Sequence, residues 1–183
     1  MATANVVEKI GRRQRTSWNG EALYEIVDDK KVEVYVGVRE LGIATRLAVL
    51  ISAALGPDPR GEPFIEMIFR LKKGSRKARR PDLAFVAYER WPDRKLPDDE
   101  AWEIVPNLLV EIISKNNSAE EVQKKLTEYF DAGVQLVWVI YPRQEQILVY
   151  TGIKEVSVLD HNDTLHGGPV LPEFSVSVKE LLA

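Results

Sequence analysis

The chain has 183 residues, of which 45% are hydrophobic and 29% charged, and 28 acidic against 25 basic side chains give it a net charge of -3. That composition supports one well-packed domain over residues 1–183 and argues against indiscriminate binding to polyanions, while leaving room for a local basic patch. The absence of cysteine excludes a disulfide framework and a thiolate zinc site. No apolar run reaches the length of a membrane span, so a cytoplasmic protein without membrane contact is expected.

Residues 1–16 lack the apolar core of a secretory signal and read as a flexible basic arm. From Ala22, the stretch ALYEIVDDKKVEVYV predicts two strands joined at Asp28-Asp29-Lys30, an N-terminal hairpin. Between Arg39 and Leu55 the residues Leu41, Ala44, Leu47, Ala48, Ile51 and Leu55 recur at three- and four-residue spacing, which predicts a buried helix stopped by Gly56-Pro57. Glu40 near its start is most simply a favourable charge against the helix dipole, with a role in chemistry as the alternative.

A strand is predicted over Glu62–Leu71. It leads into Lys72, Lys73, Arg76, Lys77, Arg79 and Arg80 around Gly74-Ser75. This basic run is either a solvated hairpin tip or a loop that grips phosphates. Residues Pro81–Ala87 predict the next strand, with Asp82 in apolar company. A long connection from Tyr88 to Pro106 follows, and its Trp91 and Trp102 either cap the core or stack on a ligand.

The run Leu108-Leu109-Val110-Glu111-Ile112-Ile113 is apolar on both faces at period two, the signature of a strand buried on both sides. Glu111 is costly there. A buried carboxylate is paired, metal-bound or protonated, so Glu111 belongs either to a structural ion pair or to an active site. Ser118 and Glu121 form a capping-box pattern opening a helix over Ala119–Ala132, Gly133 ends it, and Leu136–Tyr141 completes a strand-helix-strand unit with parallel strands. On the helical wheel Lys125 lies at the margin of the buried stripe of Val122, Leu126, Tyr129 and Phe130, whereas Lys124 points to solvent. The remainder predicts a hairpin-rich C-terminal layer with strands at Gln146–Tyr150 and Glu155–Leu159, and His161 and His166 read as loop residues.

The order helix, three strands, helix, strand resembles the core of the restriction-endonuclease-like fold, and Pro81-Asp82 with Glu111 resembles the acidic pair of the PD-(D/E)XK nucleases. More narrowly, the chain resembles the Uma-two family of endonucleases through YEIVDD (24–29), RPDLAFV (80–86), PNLLVEIIS (106–114), KLTEYFDAGVQLVWVIYP (125–142) and LPEFSVSVKELL (171–182). The resemblance implies an α/β fold of mixed α+β type, a central mixed sheet flanked by helices with added N- and C-terminal hairpins. One departure from the superfamily stands out: the motif's lysine position, two after Glu111, is Ile113. The Uma-two pattern instead has its lysine in the following helix, at Lys125, with Glu121 at an acidic position one turn earlier that either orients Lys125 or forms a surface ion pair.

Two carboxylates on adjacent strands suit Mg²⁺ or Mn²⁺. The resemblance implies metal-dependent hydrolysis of phosphodiester bonds in nucleic acid, DNA in the first instance. Asp82 and Glu111 hold the metal with the Ile112 carbonyl, Lys125 positions or deprotonates the attacking water, and the 72–80 loop grips the backbone. A homodimer is the assembly that the likeness to restriction-type nucleases suggests. The competing reading is a non-catalytic nucleic-acid-binding or scaffolding module that keeps the fold.

Overall fold

The computed structural model describes residues 22–183 except Tyr35 and Asn116, so the arm over residues 1–16 lies outside the described residues. The chain opens with the hairpin β1 (Tyr24–Val27) and β2 (Lys30–Glu33), paired in register from Tyr24–Glu33 to Val27–Lys30. Its two-residue loop puts both Asp28 (φ 51°) and Asp29 (φ 59°) in the left-handed region, which a tight hairpin turn requires and aspartate tolerates. Helix α1 (Val38–Leu55) buries Ala44, Leu47 and Ile51 of the predicted stripe, with Ala48 and Leu55 half-buried, but it buries Ile43 where Leu41 was expected, and Leu41 is exposed.

Next come β3 (Gly61–Ile65), β4 (Leu83–Ala87) and β5 (Leu108–Ile112), successively antiparallel. Helix α2 (Ala119–Ala132) then crosses over to β6 (Leu136–Tyr141), which runs parallel to β5 as its sequence predicts. Strands β7 (Gln146–Gly152) and β8 (Glu155–Leu159) complete a six-stranded mixed sheet in the order β3-β4-β5-β6-β7-β8. A separate hairpin, β9 (Thr164–Gly167) and β10 (Leu171–Ser177), and a short α3 (Val178–Leu182) close the chain. His166 therefore lies in a strand rather than a loop.

Two apolar layers sandwich the sheet. On one face Leu83, Phe85, Leu108, Val110 and Trp138 pack against Ile43, Leu47 and Ile51 of α1 and against Phe174 and Leu181 of the C-terminal elements. On the other, Ala84, Val86, Leu109, Val137 and Val139 pack against Leu126 and Tyr129 of α2 and against Phe69, Trp91 and Trp102. Both faces of β5 are covered, which is why its sequence reads as a continuous apolar run rather than an alternation. Trp91 and Trp102 meet edge to face at 5.0 Å inside this second layer, so of their two readings the core role holds.

Two strands are shorter than predicted. The strand expected over Glu62–Leu71 ends at Ile65, because Glu66 takes φ 54° and turns the chain away. Beyond it, Phe69 makes only isolated bridges to Arg79 and Trp102. The strand expected from Pro81 begins at Leu83, leaving Asp82 at the strand mouth. The β3–β4 contact is close enough to exclude a methyl group: a Cβ on Gly61 would stand 2.4 Å from the Val86 carbonyl oxygen and 2.5 Å from Cζ of Phe85. Gly61→Ala is therefore expected to cost about 1–3 kcal/mol by overpacking, read as a lowered midpoint in urea denaturation. A wild-type midpoint would mean that the two strands separate freely at this point.

Candidate active site

The paired strands set three acids side by side. One step beyond the last pairs, Ile65 with Leu83 and Leu83 with Val110, the register brings Glu66 opposite Asp82 and Asp82 opposite Glu111. A backbone bond from the Glu66 N–H to the Asp82 carbonyl, 3.3 Å, continues the first of these pairings. All three line one cavity of about 370 Å³, together with Glu25, Glu40, Arg79, Arg80, Ile112, Glu121, Lys124 and Lys125.

Glu111 is 7% exposed, and both of its oxygens are engaged. Lys125 Nζ donates to Oε2 at 2.9 Å, and the Tyr129 hydroxyl donates to Oε1. The same ammonium lies 2.9 Å from Oε1 of Glu25, which is itself buried in β1. Glu25 continues to Arg79 at 2.8 Å, and Arg79 to Glu128 of α2 at 2.7 Å. Asp82 Oδ2 accepts a 2.5 Å bond from the Ile112 N–H. Glu66 Oε1 is buried and has no partner.

Burial and the Glu111 charge push the Asp82 carboxyl well above the usual carboxylate range, with the Ile112 N–H pulling the other way. Burial likewise raises Glu66 to about 7 against the pull of Arg80, and the Glu111 charge adds to the rise. For Lys125, burial alone would favour the neutral amine, but Glu111 and Glu25 override it and hold the ammonium above the ordinary lysine range. Burial and the same Glu111 charge keep the Tyr129 phenol protonated. Lys125 in this arrangement is a cation and a hydrogen-bond donor rather than a base.

The sequence-derived residues fall into groups. Asp82, Glu111 and Lys125 converge, and Lys125 reaches inward from α2 as the wheel requires. Ile112 presents its N–H to Asp82. Glu40 lines the cavity from the first turn of α1. Glu121 also lines it, but its carboxylate accepts from the N–H and hydroxyl of Ser118 at 3.0 Å each, so it caps the helix and does not hold Lys125. Lys124 is solvent-exposed, as the wheel requires, and stands on the cavity rim.

The basic run divides as well. Lys72 and Lys73 are exposed, Arg76 pairs with Asp29 across an exposed contact, and Lys77 lies 3.1 Å from Glu128. Arg79 is 6% exposed and locked between Glu25 and Glu128, which corrects its reading as a phosphate contact. Arg80 turns inward to the carbonyls of Tyr24, at 3.0 Å, and Glu66. Glu25 and Glu66 are the site residues that the sequence reading passed over. Each carries the signal that singled out Glu111, an acid inside an apolar run: LYEIV and FIEMIF.

The donor set is all carboxylate oxygen, and the partnerless Glu66 Oε1 beside Asp82 suits a hard divalent cation in ligand type. No group of three acidic, histidine or cysteine side chains is assembled to hold a metal among the described residues, and Lys125 answers both Glu111 and Glu25. None of the described helices is long and apolar enough to cross a membrane.

Comparison with known proteins agrees with this architecture. No curated protein matches the chain. Among solved structures, the crystal structure of a "putative nuclease belonging to DUF820" from Anabaena variabilis ATCC 29413 superposes with a TM-score of 0.74. It is 20% identical, and the match covers 92% of this chain and 93% of that one, a likeness of fold. The family model of Uma2, described as "Putative restriction endonuclease", matches residues 19–179. That span takes in every residue of the cavity, and the chain therefore belongs to the Uma2 family.

Proposed function

We propose that the protein is a metal-dependent endonuclease that hydrolyses phosphodiester bonds in DNA. The observation that carries the reading is the convergence of Asp82, Glu111 and Lys125 in one cavity, from two adjacent strands and the crossover helix. Asp82 and Glu111 would hold Mg²⁺ or Mn²⁺, and Glu66, which the sequence did not suggest, lines the same cavity. When bound, such an ion supplies Lewis-acid stabilisation of the phosphate's developing charge and a more acidic water.

The chain's own groups do the positioning. Lys125, fixed by two carboxylates 2.9 Å away, offers its remaining proton as a hydrogen-bond donor to the attacking water or to a phosphate oxygen. Tyr129 holds the Glu111 carboxylate in one orientation, and Ile112 does the same for Asp82. Lys72, Lys73 and Lys124 are exposed, and we assign them to the backbone of a bound strand. The scaffolding alternative has one observation in its favour: Glu111 is already fully satisfied by Lys125 and Tyr129.

Calorimetric titration of Mn²⁺ with plasmid nicking in parallel separates the two. Wild type is expected to bind and cut, and Asp82→Asn to lose both; equal binding by the two proteins would remove the metal site. Lys125→Met is expected to slow nicking by about 10²-fold or more. In metal-free buffer it also loses about 3–5 kcal/mol of stability, because two buried carboxylates are left facing each other. Normal nicking by this variant on a substrate that Asp82→Asn cannot cut would take Lys125 out of the chemistry.

For Glu66 the folded state holds its proton more tightly than the unfolded chain, so its contribution is present at low pH and is lost as pH rises from about 4.5 to about 7. In EDTA, Glu66→Gln should match wild type near the bottom of that window and exceed it in stability above the top. Parallel pH profiles for the two proteins would show that Glu66 is not held protonated.

Neutralising Lys72, Lys73 and Lys124 together is expected to weaken DNA binding and to flatten the plot of log affinity against log salt by about 0.9 for each phosphate that no longer meets a cation. An unchanged slope would return these lysines to the solvent.

A further inference from the structure

The two edges of the six-stranded sheet differ. At the β3 edge Pro63 removes a backbone donor and the chain turns away at Glu66, both devices that discourage another strand from pairing. The β8 edge has neither: among the described residues nothing pairs beyond it, and Glu155-Val156-Ser157-Val158-Leu159 contains no proline and no lysine. Val156 is 49% and Val158 57% exposed, on the face where their partners Tyr150 and Leu148 pack toward α2.

We propose that β8 pairs antiparallel with β8 of a second copy of this chain, about a two-fold axis at Ser157, to make a continuous twelve-stranded sheet. An axis perpendicular to the sheet keeps each side chain on its own face, so it must pass through a residue rather than between two. Centred on Ser157, it sets Val156 opposite Val158 of the second copy and Val158 opposite its Val156, so all four exposed valines pair with one another. The same register sets Lys154 opposite Asp160 of the second copy, twice by symmetry, and opposite charges there favour pairing. Centred on Val156, the axis would oppose Val158 to Lys154, and centred on Val158 it would oppose Val156 to Asp160. Only the Ser157 register satisfies both the apolar and the charged residues.

This interface stands apart from the cavity between β4, β5 and α2 and does not depend on the nuclease reading. The full chain is expected to sediment at twice its 20.8 kDa mass at high micromolar concentration. The chain has no cysteine, so single cysteines report the register directly. Paired residues on antiparallel strands have Cα atoms about 4.5–5.5 Å apart, within disulfide reach, so Ser157→Cys should cross-link to a covalent dimer under mild oxidation. Glu155→Cys should cross-link at least about tenfold more slowly, because its counterpart lies four residues along the ladder, about 13 Å away. Lys154→Glu should raise the dimer dissociation constant about tenfold, and adding Asp160→Lys should restore most of the loss. A monomer at high micromolar concentration would overturn the proposal, as would cross-linking at Glu155→Cys as fast as at Ser157→Cys. A monomer whose β8 amides are nonetheless protected from exchange would mean that some other partner covers the edge, which overturns it equally.

Discussion

Glu111 places a carboxylate on the covered face of a central strand, and the surroundings are arranged to answer it. Lys125 and Tyr129 reach it from α2, Lys125 also binds Glu25, Glu25 binds Arg79, and Arg79 returns to Glu128 on α2. The chain of charges begins and ends on the same helix and passes through the first hairpin and the segment before β4. Removing one member strands its neighbours in low dielectric, and a broken buried pair costs about 3–5 kcal/mol. The network therefore fixes the relative positions of three elements that share little apolar surface, and the cavity lies on top of it.

The distribution of partners within the network bears on the chemistry. Glu111 and Glu25 have Lys125 between them, while Asp82 has a single backbone N–H and Glu66 Oε1 has nothing. The two carboxyls that burial pushes up, Asp82 and Glu66, thus stand on the β3 and β4 side of the cavity. An added cation there would offset what burial costs those two acids, and Lys125 would keep its own partners.

The sequence revealed the parts of this arrangement that are local. The capping box at Ser118 and Glu121 and the left-handed Gly133 bound α2 where the pattern sets them, and the two-sided burial of β5 follows from its unbroken apolar run. Lys125 was legible because a helical wheel needs only the neighbours of one helix. What stayed hidden depends on pairing at long range. Nothing near Arg79 in sequence shows that Glu25 and Glu128 enclose it, so a buried ion pair looked like part of a surface basic patch. The end of β3 at Ile65 was equally hidden, since Glu66-Met67-Ile68-Phe69 continues the apolar pattern and the left-handed backbone at Glu66 has no glycine or asparagine to announce it. Glu25 and Glu66 were accessible in principle, because both are acids in apolar runs, but Glu25 sits in a four-residue strand and Glu66 just past the end of β3, and the burial of each is settled by what covers it.

The first hairpin has a consequence for the order in which the molecule assembles. Glu25 and Lys125 are a hundred residues apart in sequence, and closing a loop of that length costs about 4 kcal/mol of chain entropy before any contact repays it. The hairpin's own buried apolar contribution is small, Ile26 with part of Tyr24 against Ile68, Ala78 and Ala101. That imbalance favours docking of the hairpin onto a β5-α2-β6 unit formed from more local contacts. In the native state, then, it is the buried pairs of Glu25 with Arg79 and Lys125, more than apolar contact, that keep the hairpin closed, and losing them would leave Lys125 with one carboxylate instead of two.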